Sequence, residues 1–355
     1  MNTEKLARLR ALMRASGMES LLINRASNFA WLTDGASSYI HIATDGGAAS
    51  LLVTHENQYV ICDNIEITRL RAEEELDGWE FVSGPWPEGR EPLVRKIAPG
   101  MLHADSRFPN AVDASAMIAP LRYRLDAREV ERFRMVGAAT GRAVQSAARA
   151  VRAGMSEQQI AGLIAGYAYA NHVVPVVVLV AADERIFNFR HPLPTGKKLE
   201  KYAMLIVCGR RWGLVASATR LVHFGKMPDE LRRKADACAA VDAALIGATR
   251  RGATLASVFE IGAQAYAAQG FADEWRLHHQ GGLAGYEPRE VLATPTASLK
   301  IEGNQAFAWN PSITGTKSED TILLTDKGLE IITQEGDWPL IEVEGIKRPD
   351  ILQWE

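Results

Sequence analysis

The chain has 355 residues, 47% of them hydrophobic and 23% charged, and 43 acidic against 40 basic side chains leave a net charge of −3. That length suits two domains of ordinary size, and the composition excludes a disordered, collagenous or coiled-coil chain. The near-neutral balance gives no electrostatic footprint for nucleic acid or an anionic membrane.

In chain order, residues 3–16 place Leu6, Leu9, Leu12 and Met13 on one helical face, and Gly17 ends the pattern. Ser20–Ile23 reads as a strand, and Ser27 is placed to cap a helix through Trp31. Strands follow at Ser50–Val53, Gln58–Cys62, Trp79–Val82 and Met101–His103, with helices at Ile65–Glu75, Leu93–Ile97 and Asn110–Leu121. This alternation predicts an α/β domain over 1–124. Asp126 is the expected N-cap of a long helix to about Val151, and Ser156 that of a second helix. Val173–Val180 has the length and β-branching of a buried strand, and Met204–Cys208 and Gly213–Ala218 read as a strand pair. Two helices, about 228–249 and 255–268, precede a strand-rich last hundred residues, so a second domain is expected over 125–355.

Cys62, Cys208 and Cys238 are an odd, scattered set without a C-x-x-C pair, which supports neither a disulfide framework nor a zinc ribbon. The N-terminus lacks the apolar stretch of a signal peptide, and no run reaches the about 18 apolar residues of a membrane span. A cytoplasmic protein without membrane or nucleic-acid partners is therefore expected.

Nucleophile-elbow, phosphate-loop, dinucleotide-loop and HExxH signatures are absent. Three segments carry chemistry instead. His191 lies in FRHPLPTG, where two prolines stiffen the backbone and hold an imidazole whose usual pKa near 6.5 suits proton transfer. His279 opens HQGGLAGYEP, whose glycines let backbone approach a ligand closely. Glu319 and Asp320 enter an apolar strand, where carboxylates need a partner. Locally, a turn-closing histidine, a flexible hairpin and a solvated strand end explain the same three segments.

These segments, in this order, resemble the pita-bread family of creatinase, prolidase, aminopeptidase P and methionine aminopeptidase. His191 with its Pro-Leu-Pro-Thr-Gly, Met204–Gly209, Gly213–Arg220, His279–Pro288, Phe307–Pro311 and Glu319–Thr321 each look like a family segment, over about 125–335. Arg10, Gly17, Asn28, Leu32, Thr33 and Gly35 are similar to the family's N-terminal domain. The resemblance implies an N-terminal creatinase-like α/β domain before a C-terminal pita-bread domain, an α/β (α+β) fold, and a homodimer.

The departures are informative. The family's peptidases bind two metals with two Asp, one His and two Glu. The positions matching the Asp residues are Val207 and Ser217, and that matching the first Glu is Asn310; His279 and Glu319 are kept. Hard divalent cations depend on the missing oxygens. Creatinase is a metal-free member that hydrolyses a C–N bond of a small guanidino acid, and its two active-site histidines match His191 and His279. Its two active-site glutamates match Thr219 and Asn310.

The expectation is therefore a metal-independent, creatinase-like hydrolase acting on a C–N bond of a small molecule, without cofactor or metal. His191 is assigned general acid/base catalysis, with His279 as partner and Glu319 orienting His279 or activating water. Asn310, Tyr286 and Arg220 are expected to position substrate, Tyr286 donating to an oxyanion. Trp309 with Trp212 is expected to form an apolar wall. Tyr39 and His41 are expected to reach the partner's site in a homodimer. The same residues suit elimination or isomerisation. Rival readings are a single metal on His191, His279 and Glu319, a two-metal Xaa-Pro peptidase, and a non-catalytic binding protein on a peptidase fold.

Overall fold

The computed structural model describes residues 3–355. It divides into two mixed α/β units, one running to Tyr123 and including Trp212–Leu214, the other comprising Arg124–Arg211 and Val215–Glu355.

In the first unit, helix Thr3–Ala15 buries Leu6, Leu9 and Met13, and Gly17 turns the chain at φ 65°. Six strands form one sheet in the order Glu80–Gly84, Gln58–Asp63, Gly46–Thr54, Ser20–Arg25, Leu102–Ala104, Ala111–Asp113. Leu22, Leu52, Ile61, Leu102 and Ala104 pack with Val94 of helix Glu91–Ile97. Asp105 ties the sheet to helix Ala26–Leu32, accepting hydrogen bonds from the Asn24 amide (2.7 Å) and Asn28 Nδ2 (2.9 Å). Two local expectations differ. Arg25, not Ser27, occupies the N-cap of that helix, with no side-chain cap. The segment 110–121 is not one helix: Ala111–Asp113 joins the sheet edge, and only Ser115–Ile118 is α-helical.

The second unit opens with helix Ala127–Ala150, whose capping box pairs Asp126 with Glu129, and helix Glu157–Ala170, whose box pairs Ser156 with Gln159. A four-stranded sheet follows, ordered Leu352–Trp354, Leu214–Phe224, Tyr202–Arg211, Val174–Ala182. Side chains alternate across it. Ala203, Leu205 and Val207 pack against Val144, Ala147, Ile160 and Ile164 of the two helices. Met204 and Ile206 face the other way, with Leu221, Leu231 and Ala235. A second, antiparallel sheet is built from Val291–Leu292, Gly281–Ala284, Gln305–Trp309, Asp320–Thr325 and Gly328–Ile331. The two sheets are stitched where the Thr219 amide donates to Glu319 O (3.1 Å) and the Ser217 amide to Thr321 Oγ1 (2.8 Å). Helices Asp229–Ala248 and Leu255–Ala268 complete the unit, and no helix among the described residues is long and apolar enough to cross a membrane.

Candidate functional site

The loop bearing His191 is pinned on both sides. Pro192 O accepts from the Val180 amide (3.2 Å), and Arg190 Nη2 holds Glu274 Oε2 (2.6 Å) and Thr314 Oγ1 (2.9 Å). Thr195 donates from its amide and hydroxyl to the buried Glu157 Oε2 (2.8 and 2.6 Å). His278 and His279 follow the short 3₁₀ turn Glu274–Leu277. The chain then passes Gly281 (φ +99°) and Gly282 (φ +150°). A Cβ would lie 2.0 Å from Ala308 O at the first and 2.1 Å from Val291 O at the second. Only glycine permits strand pairing this close immediately after a histidine.

These loops bring three imidazoles together. His191 Nε2 lies 3.1 Å from His278 Nε2. The His278 and His279 rings stack with centroids 4.5 Å apart, and the His191 and His279 centroids are 5.6 Å apart. One nitrogen of each can be chosen so that all lie within 4.8 Å of one another. Nδ1 of His278 and Nδ1 of His279 are buried without a hydrogen-bond partner. Burial, then the Lys317 charge, lowers the His278 pKa to about 2. Burial, then the Arg289 charge, lowers that of His279 to about 4. His191, the exposed member, is lowered from 6.5 by its own desolvation and then by Lys317. All three are neutral at pH 7.

Beside them, Glu319 is enclosed by donors. Oε1 accepts from Arg289 Nη2 (3.0 Å); Oε2 accepts from Thr219 Oγ1 (2.6 Å) and pairs with Lys317 Nζ (3.0 Å). Burial raises the Glu319 pKa, but Lys317 and Arg289 outweigh it and hold the group at about 2. Arg289 Nη1 also reaches Ser217 Oγ (3.3 Å), which contacts Cys208 Sγ (3.2 Å). Burial raises the Cys208 thiol pKa, so it keeps its proton.

His191, His279 and Glu319 thus lie in one neighbourhood, but Glu319 does not orient His279. Its partners are Arg289, Lys317 and Thr219, and it acts on the imidazoles only through its charge. Arg220 is not a substrate group: fully buried, it pairs with Asp320 Oδ1 (3.0 Å) and donates to Thr333 O (3.0 Å). Alternation puts it on the sheet face opposite Thr219. Trp309 forms no open wall, being fully buried and donating to Thr249 Oγ1 (3.0 Å). Trp212 belongs to the first unit, at the turn between two strands. Tyr286 is buried and its hydroxyl donates to Glu129 Oε1 (2.6 Å), so it braces a helix N-terminus rather than an oxyanion. Asn310 is buried beside the site strands; its backbone N–H donates to Gln280 O (3.1 Å) and its side-chain Oδ1 has no hydrogen-bond partner. Tyr39 and His41 lie in the first unit, between helix Ala26–Leu32 and strand Gly46–Thr54.

Val207, matched in sequence to the first aspartate, points into the helix-packed core, and Cys208 is the residue facing Ser217. The donor set does not fit a pair of divalent cations. At the matched positions it offers a thiol that keeps its proton, a hydroxyl, an amide, the neutral imidazole of His279 and a single carboxylate, and that carboxylate already carries two cationic side chains. His278, Arg289 and Lys317 were outside the expected site. Lys317 stood beside Glu319 in sequence, whereas nothing local marks Arg289, 30 positions before the carboxylate it holds.

Two family models match: one described as metallopeptidase family M24 over residues 131–326, the other as the creatinase/prolidase N-terminal domain over 5–103. An uncharacterized peptidase of Staphylococcus haemolyticus is 22% identical over 238 residues, 62% of this chain and 65% of that protein. The matched part thus spans under two thirds of that relative. A prolidase from Pyrococcus horikoshii superposes with TM-score 0.82 at 16% identity, over 94% of this chain and 99% of its own. An Xaa-Pro dipeptidase from Bacillus anthracis gives 0.79 at 17%, over 99% of each chain.

Proposed function

Because this chain belongs to metallopeptidase family M24, a family of hydrolases, and yet gathers three neutral imidazoles beside a carboxylate held by two cations, we propose that it hydrolyses a C–N bond of a small molecule by histidine acid/base catalysis without a metal. The observation that carries this reading is the 3.1 Å contact between His191 Nε2 and His278 Nε2. It fixes an exposed, neutral imidazole by a buried one. His191 takes a proton from water as the water oxygen bonds the substrate carbon. The C–N bond then breaks, and His191 returns that proton to the leaving nitrogen. His278 is the positioning residue for the His191 ring. His279 stays neutral at pH 7 and stacks on His278 at 4.5 Å, holding that ring in place. General acid/base groups supply about 10²–10⁴-fold each, and holding water and substrate together supplies much of the rest.

The test is a hydrolysis screen read by mass spectrometry over guanidino acids, N-acyl and N-carbamoyl amino acids and Xaa-Pro dipeptides. It is repeated with His191→Ala once a substrate is found. A loss of about 10²–10⁴-fold in a folded variant is expected; intact turnover in His191→Ala contradicts the assignment. The three imidazoles also support a second reading, a single metal ion held by His191, His278 and His279. Activity abolished by chelation and restored by one metal favours it. Homodimer formation is proposed from the family resemblance and is read by light scattering of the purified chain.

A further inference from the structure

The positions that resemble metal ligands are not left bare: two cationic side chains bind them. One guanidinium spans two such positions, Ser217 Oγ at 3.3 Å and Glu319 Oε1 at 3.0 Å. The ammonium of Lys317 takes the other oxygen of Glu319 at 3.0 Å. Each oxygen of the one retained acidic ligand therefore has its own cation. Both are enclosed, the side chains of Arg289 and Lys317 being 11% and 4% exposed. In this arrangement two positive charges face one negative charge, and Arg289 Nε is buried without a hydrogen-bond partner.

From this geometry we infer that Arg289 and Lys317 are built-in substitutes for the metal pair: fixed cations that exclude divalent ions from Glu319 and present positive charge to an oxygen of the substrate. Glu319, a metal ligand in the peptidases, here anchors the cations. The charge of Arg289, whose plane is fixed by Glu319 Oε1 (3.0 Å), Ser217 Oγ (3.3 Å) and Pro288 O (2.6 Å), favours a substrate oxygen on which negative charge develops as water adds. A guanidinium suits this place because its planar fork holds two acceptors at once and keeps its charge at every working pH. The inference rests on the metal-free reading above, but it is tested without substrate, so its failure is distinguishable from an active His191→Ala.

The probe is Mn(II), a hard cation that prefers carboxylate oxygen to imidazole. It is followed by electron paramagnetic resonance and by its effect on melting temperature, in the wild type, Arg289→Met, Arg289→Lys and Arg289→Met/Glu319→Gln. Removing one positive charge a few ångströms from a divalent ion should strengthen its binding by about 100-fold or more. Wild type and Arg289→Lys are expected to bind no Mn(II) through Glu319. Arg289→Met should take it up and gain stability from it, and the double variant should lose that response. If Arg289→Met does not fold alone, its refolding in the presence of Mn(II) is the same readout. Glu319-dependent Mn(II) binding by the wild type overturns the inference, and so does an Arg289→Met variant that binds none.

Discussion

Replacing Glu319 by glutamine removes the one negative charge between two enclosed cations while keeping the shape. The pKa difference sets the scale. A glutamate held at about 2 instead of 4.5 is stabilised on folding by about 3 kcal/mol, at about 1.4 kcal/mol per unit. Breaking a buried ion pair by deleting one partner costs about 3–5 kcal/mol, since the other charge stays behind. The two magnitudes coincide. For a unit of this size each kcal/mol moves the melting point by about 2–4 °C, so Glu319→Gln should melt about 6–12 °C lower at pH 7. The sign with pH is fixed. The folded pKa is depressed, so the wild-type advantage is present above about 4.5 and vanishes as pH falls toward 2. Calorimetry of both proteins between pH 7 and pH 3 resolves the transition of the second unit. An unchanged melting point at pH 7, or a difference that does not shrink in acid, refutes the assignment of Glu319 as a cation-held carboxylate.

Other outcomes follow from the same geometry. Because the His191 pKa is lowered and the neutral ring is the base, kcat/KM should rise with pH along a limb centred below 6.5 and be flat at neutrality; a limb above 7 contradicts this. Gly281→Ala should unfold the strand behind His279 or abolish activity, since its Cβ would meet Ala308 O at 2.0 Å; a wild-type melting curve with full activity contradicts the tight pairing. Arg220→Met should cost about 1.5–3 kcal/mol, measured by urea unfolding, because Asp320 loses one of its two buried guanidinium partners and keeps Arg348 at 2.9 Å. Activity scaled to folded protein should be unchanged, and a specific loss of kcat would return Arg220 to the site.

Much of the second unit is legible in the sequence because its signals are local. Asp126 and Ser156 cap the helices they precede, and the stiff loop of His191 and the paired glycines after His279 mark where backbone must approach closely. What sequence conceals is the partner of each polar group. Tyr286 finds Glu129, 157 positions away, and Arg220 finds Asp320, 100 away, so two apparent substrate groups are spent on structure. Val207 and Cys208 differ by one position, which in a strand means opposite faces, and the motif match selects the face packed against the helices. His278 reads as a spare neighbour of His279 until the loop brings it to His191. The helix expected over 110–121 yields to edge pairing of Ala111–Asp113, a tertiary contact that overrides local preference.

The most direct measurement is of metal and turnover together. A preparation made without added metal or a metal-binding tag is analysed by plasma mass spectrometry and assayed on the substrate found in the screen, before and after exhaustive chelation. The account predicts full turnover from protein with near-zero metal, unchanged by the chelator. Turnover that disappears with the metal and returns in proportion to the ions restored would contradict it.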